Sequence, residues 1–210
     1  MKTPKKTPKS ELRRQNMLEA ALELFLKNGY HKTGLLEIIK KSGGSLGTLY
    51  DAYGSKEGML KALIQSKAIT IVSSLEENAA KYANYDLKEF LLNMARDYVR
   101  LAKDKKAIDI KSIVIQDSKN EQVANLFYEL AIKPIFRLFT DYFSRPEISA
   151  QLVDADYDLL TFRFFNLLEE PLRSWGKVCA LMFDDESILK QDDEWIKQSV
   201  EFFINGVTKR

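Results

Sequence analysis

The sequence predicts an all-α protein of about nine helices, and three observations carry that expectation. Apolar residues recur at helical spacing along most of the 210 residues. No stretch alternates with the period of a strand, and the breaks between segments carry helix-capping residues. No internal repeat of fixed period is present.

In chain order, Met1 to Lys9 holds Lys2, Lys5, Lys6 and Lys9 with Pro4 and Pro8, the composition of a flexible basic arm. Ser10 caps a helix that runs to Gly29, with Met17, Leu18, Ala21, Leu24 and Phe25 on its apolar face. Thr33 caps a short helix carrying Leu35, Leu36, Ile38 and Ile39. Ser42, Gly43 and Gly44 form a tight turn, and Ser45 caps a further short helix ending near Tyr53. Gly54 breaks that helix, and Ser55 caps a longer one reaching about Lys81. Asp86 caps a helix from Leu87 to about Lys103, followed by helices over Ala107 to Gln116 and Glu121 to Phe143, the latter bent at Pro134. The aromatic-rich stretch Asp154 to Phe183, with Pro171 in its middle, and a helix from Gln191 to Val207 complete the count.

Composition excludes several classes. The hydrophobic fraction of 45% is that of a globular protein. No apolar run approaches the roughly 18–20 residues of a membrane helix, and the basic start has no apolar core behind it, so neither a membrane span nor a secretory signal is expected. The single cysteine, Cys179, allows no internal disulfide and fits a reducing cytoplasm. The net charge of +2 conceals an asymmetry: residues 1–66 carry 12 Lys and Arg against 6 Asp and Glu, and the remainder 20 against 24. A basic head on a mildly acidic body points to a polyanionic partner for the head.

Two short helices joined by a glycine-containing turn form the unit that sets a recognition helix in the DNA major groove. Here Thr33, Ile38, Gly43, Ser45, Gly47-Thr48-Leu49-Tyr50 and Ser55-Lys56-Glu57 stand at the spacings of the TetR family, which Leu18, Ala21, Leu24-Phe25, Gly29 and Tyr30 also resemble. The resemblance covers roughly Arg13 to Leu63. It implies a flexible arm over 1–9, a three-helix helix-turn-helix DNA-binding domain over 10–55, and a larger helical effector-binding and dimerisation domain over 56–210. The DNA-binding residues expected are Lys9, Arg13, Thr33, Ser45, Leu46, Gly47, Thr48, Tyr50, Asp51 and Lys56. Gly47 lets the backbone approach DNA, and Thr48 offers a hydroxyl and a methyl to a base edge or phosphate. Tyr50, Lys56 and Thr33 resemble the family's phosphate contacts. The chain departs from the family's usual pattern at Ile39, Gly44, Leu46, Asp51, Ala52 and Tyr53. The recognition helix therefore lacks a usual cation and carries a carboxylate, and affinity leans on Lys5, Lys6, Lys9, Arg13 and Arg14 of the arm and first helix.

The same resemblance implies a homodimer on a near-palindromic double-stranded operator, paired through an interface containing Phe203, Ile204 and Val207. It also implies an apolar or aromatic small-molecule effector. Candidate lining residues are Asn93, Tyr98, Phe127, Phe136, Phe162, Phe165, Asn166 and Trp175, although aromatics at helical spacing are also what any buried helix needs. No cofactor or metal is expected: the acidic groups Asp184-Asp185-Glu186 and Asp192-Asp193-Glu194 lack the alternation and turn glycine of a calcium loop. An enzyme is not expected, since His31 and Cys179 are far apart in sequence and no catalytic or nucleotide motif appears. The expected function is a ligand-responsive repressor. The alternative is a dimeric small-molecule-binding protein whose DNA-binding head has weakened or been lost.

Overall fold

The computed structural model describes residues 8–117, 119–169 and 193–209. The helices are α1 (Pro8–Asn28), α2 (Leu35–Ser42), α3 (Leu46–Tyr53), α4 (Lys56–Lys81), α5 (Leu87–Ala102), α6 (Lys105–Gln116), α7 (Glu121–Phe127), α8 (Lys133–Phe143), α9 (Pro146–Ser149), α10 (Tyr157–Glu169) and α11 (Asp193–Val207). A π turn over Tyr128–Ile132 joins α7 to α8 in one unbroken helix. Pro134 has no N–H and its ring crowds the preceding turn, so the wider π turn takes up the proline where a simple bend was expected. Counted so, ten helices occur among the described residues. The one unanticipated from sequence is the single turn α9, which Pro146 starts.

Short polar side chains set most helix starts. Asp86, Asp104 and Asn120 accept from the amides of Glu89, Ala107 and Gln122, at 2.8, 3.1 and 3.0 Å. Asp104 starts α6 two residues before the expected Ala107. The cap of α2 is Gly34 and not Thr33, and Gly34 donates its N–H to Glu37 Oε2 at 2.8 Å. One isolated antiparallel bridge, Leu152 to Thr208, is the only β pairing among the described residues.

The chain forms two compact units. The first contains α1 to α3, α4 as far as Thr70, α6 and α7. Its core joins Met17, Ala21 and Phe25 of α1 to Ile38, Leu49, Met59, Leu60 and Leu63, and further to Ile110, Ile113 and Val123. The second contains α4 from Ile71, α5, and the chain from Ile132 onward. Its core is aromatic: Phe90 stacks on Tyr142 at 3.5 Å, and Phe139, Phe143, Phe164, Phe165 and Phe203 are buried with them. Each such side chain contributes about 1.5–3 kcal/mol on burial. The single helix α4 supplies apolar residues to both cores, Met59 to Ala68 in one and Leu75 in the other.

Candidate nucleic-acid interface

The exposed edge of the first unit is built on α2, its turn and α3. Gly43 ends α2 with φ at +69°, the left-handed conformation that the turn requires and that side chains resist. Ser45 caps α3: its Oγ accepts from the Thr48 amide at 3.2 Å, and the two hydroxyls share a hydrogen bond at 2.9 Å. Leu49 is fully buried and anchors α3 to the unit's core, which turns the opposite face outward. That face presents the bare backbone of Gly47 and Asp51, flanked by Tyr50, 50% exposed, and by Leu46 at the start of the helix, 41% exposed. An added Cβ at Gly47 would meet nothing nearer than Ser45 Oγ at 4.0 Å, so glycine there leaves open surface and serves no packing need. Leu46, Gly47, Thr48 and Tyr50, all expected from sequence, are thus brought together, with Ser45 as the cap that shapes their end of the helix.

Two residues expected as phosphate contacts, Thr33 and Lys56, are engaged by the protein's own backbone. Thr33 is 2% exposed, and its hydroxyl donates to Leu24 O at 3.1 Å and Gly29 O at 2.9 Å. Lys56 Nζ donates to the carbonyls of Tyr30, His31 and Thr33 at 2.9, 3.1 and 3.1 Å and lies over the Tyr30 ring. Burial lowers the Lys56 pKa from its usual value, against the opposing pull of Asp117. Both residues lock the turn between α1 and α2 instead of standing free on the surface. Arg13 is exposed on α1, as expected, and the Lys9 side chain lies outside the described residues.

Several residues that hold this surface in place were not anticipated. Asp117, at the C-terminus of α6, accepts from the Tyr30 amide at 2.8 Å, its side chain only 11% exposed. Asn120 Nδ2 lies 3.1 Å from His31 Nε2, and Gln122 donates to Glu57 at 2.5 Å. Lys41 pairs with Glu23 at 2.7 Å, tying α2 to α1. No sequence signal marks Asp117, because it and Tyr30 are 87 residues apart.

The signature described as "Bacterial regulatory proteins, tetR family" matches residues 17–63, which span this surface and its supporting core. Residues 17–63 are those of a TetR-family DNA-binding domain. The chain is a DNA-binding transcriptional regulator. The "Fatty acid metabolism regulator protein" of Bacillus subtilis (strain 168) is 24% identical over 161 residues, which are 76% of this chain and 81% of that protein. The "HTH-type transcriptional regulator UidR" of Escherichia coli (strain K12) is 41% identical over 51 residues, 24% of this chain and 26% of that one. Among solved structures, native NalD of Pseudomonas aeruginosa, titled the secondary repressor of the MexAB-OprM multidrug efflux pump, superposes with a TM-score of 0.74. It has 18% identity and covers 95% of this chain and 98% of its own. The fatty acid degradation regulator FadR of Bacillus halodurans gives 0.67 at 22% identity, over 96% and 97%. At these identities the solved structures show the shared fold. No helix among the described residues is long and apolar enough to cross a membrane.

The residues expected to line an effector site divide between the two units. Tyr98, Phe136 and Phe165 come together in the second: Phe165 meets Tyr98 edge-on at 4.7 Å and stacks on Phe136 at 4.8 Å. Tyr98 is buried and donates to Glu169, and burial raises its pKa well above the usual tyrosine value. Phe127 instead packs against the core of the first unit, and Phe162 is 54% exposed. Asn93 and Asn166 donate to carbonyls one turn back, Glu89 O and Phe162 O. Trp175 lies outside the described residues, as do Cys179, Pro171 and Asp184-Asp185-Glu186.

The expected pairing residues differ in placement. Phe203 and Val207 are buried in the second unit's own core and Ile204 is half-buried against it, whereas Phe202 is 71% exposed. The sequence holds the signal for this: Ile196, Val200, Phe203 and Val207 recur at steps of three and four, which makes Phe203 the core member of the Phe-Phe pair.

Proposed function

We propose that this regulator acts as a homodimeric repressor that holds a near-palindromic operator through its two α3 helices and releases it when an apolar effector binds the second unit. The observation that carries the reading is the outward face of α3, where a capped, core-anchored helix presents Leu46, Gly47 and Tyr50 to solvent. One helix of eight residues reads few bases. A two-fold dimer sets two such helices about 34–36 Å apart, matching one turn of DNA. The exposed apolar residues Leu159 and Phe162 of α10 and Phe202 of α11 support pairing through those helices.

For the effector, the Tyr98, Phe136 and Phe165 cluster supplies apolar surface with one buried hydroxyl. Two similar proteins are named for fatty acid metabolism and fatty acid degradation, which favours an acyl compound as the ligand class. Helix α4 is one of three covalent links between the units, beside the α5–α6 connection and the α7–α8 helix, and an effector shifts DNA affinity only as far as it prefers one state of the dimer. The alternative, a binding protein with a decayed head, is not favoured: the turn, the cap and the core beneath α3 are all in place. A mobility shift with the chain's own upstream region tests the reading. Specific nanomolar binding that fatty acids or their thioesters release is the expected result. Weak, salt-sensitive binding to every sequence would favour the decayed head.

A further inference from the structure

Helix α3 carries no cation in eight residues, Leu46-Gly47-Thr48-Leu49-Tyr50-Asp51-Ala52-Tyr53. Its one charge is the Asp51 carboxylate. At about 100° per residue, Gly47 and Asp51 both stand about 160° from the buried Leu49, one turn apart on the most outward line of the helix. Asp51 is exposed, and no hydrogen bond or ion pair engages its carboxylate among the described residues. Gly47 adds no side chain on that line, so a duplex can come close enough for the next residue along to touch base edges.

We infer that Asp51 is a specificity-determining residue that accepts a hydrogen bond from the exocyclic amino group of a cytosine in each half-site; this rests on the DNA-reading role of α3 given above. An ionised carboxylate only accepts, and in the major groove it meets two acceptors on guanine and one acceptor beside a methyl on thymine. Those bases repel it. Cytosine offers its N4 amino group beside one acceptor, the O6 of its paired guanine, whereas the N6 amino group of adenine is flanked by two, its own N7 and the O4 of thymine. Phosphates repel Asp51 as well, so the position is favourable only where an amino group lies opposite. The recognition helix thereby selects more by exclusion than by attraction, with Leu46 offering apolar contact suited to a thymine methyl nearby.

The test is selection of binding sites from randomised duplex DNA by the full-length protein and by its Asp51→Ala and Asp51→Asn variants, with thermal melts to show that all three are folded. The wild type is expected to enrich a two-fold symmetric site with one cytosine per half-site that Asp51→Ala no longer requires. Asparagine pairs with the N6 and N7 of adenine, so Asp51→Asn is expected to move that preference from cytosine to adenine. Replacing the cytosine should weaken wild-type binding roughly 5- to 150-fold and Asp51→Ala binding little. Identical base preferences in the wild type and Asp51→Ala overturn the inference, as does a gain in affinity by Asp51→Ala that is equal for all sequences. A wild type that enriches no site at all overturns the DNA-reading role itself, which separates the two failures.

Discussion

A single methyl group decides position 58. An added Cβ at Gly58 would lie 1.8 Å from the Tyr53 carbonyl oxygen, because the break at Gly54 folds the end of α3 back over the first turn of α4. The clash is with backbone and cannot be relieved by a rotamer change. Gly58→Ala is therefore expected to destabilise the first unit by about 1–3 kcal/mol, read as a lower denaturation midpoint. An unchanged midpoint would mean that the two helices separate freely there. Gly58 follows directly on Ser55-Lys56-Glu57, residues that were legible as a motif. Neither its closeness to Tyr53 nor the role of Lys56 could be read from the sequence, since both depend on which carbonyls the folded chain gathers. Lys56 shows the difference plainly: its residue type suits a phosphate, but three carbonyls of the α1–α2 turn converge on its ammonium.

Among the elements, the exposed start of α11 is held to α5 by one ion pair, Arg96 to Asp193, which Lys197 of α11 joins. Asp193 takes hydrogen bonds from Arg96 at 2.5 Å and from Lys197 at 2.9 Å, and these two, Arg96 first, lower its pKa to about 2. A carboxyl lowered in the folded state adds stability that is complete above its unfolded pKa and is lost as the pH falls towards the folded one. For Asp193 that window runs from about 4 down to about 2. Thermal melts across it are expected to show a steeper loss for the wild type than for Asp193→Asn, and parallel curves would contradict the assignment. The helices themselves were largely legible, because caps such as Asp86 and Ser45 and the stripes behind them are local. The membership of α6 and α7 in the first unit's core was not. It rests on contacts such as Asp117 to Tyr30, which no periodicity encodes. Asp117→Ala removes the acceptor of a partly buried amide, and is expected to lower stability by about 1–3 kcal/mol, with Asp117→Asn recovering part of it. Equal melting of all three proteins would show that the tie contributes nothing.

For the whole molecule, the neighbours Phe202 and Phe203 separate assembly from folding. Phe203→Ala empties a core position and is expected to cost about 3–5 kcal/mol. Phe202→Glu places a charge on an exposed apolar site. It should leave the melting of the monomer's core little changed while converting the dimer to monomer, as light scattering would read. A dimer that survives Phe202→Glu would place the pairing surface elsewhere. The surface proposed to read DNA was legible in outline as a helix-turn-helix, since Gly43 ends α2 and Ser45 caps α3 where the residue pattern placed them. The exposed apolar face proposed for pairing was less so, because both phenylalanines fit a helix and only the stripe through Ile196 tells them apart.

Contact between the outward face of α3 and DNA is tested with least disturbance by Gly47→Ala. The added methyl has open space around it in the folded chain and removes a glycine from a helix, so the variant should melt no lower than the wild type. On a duplex containing the regulator's operator, titrated at one fixed salt concentration, its affinity is expected to fall at least about tenfold, a loss of about 1.4 kcal/mol. Gly47→Ala binding that duplex as tightly as the wild type would contradict the account.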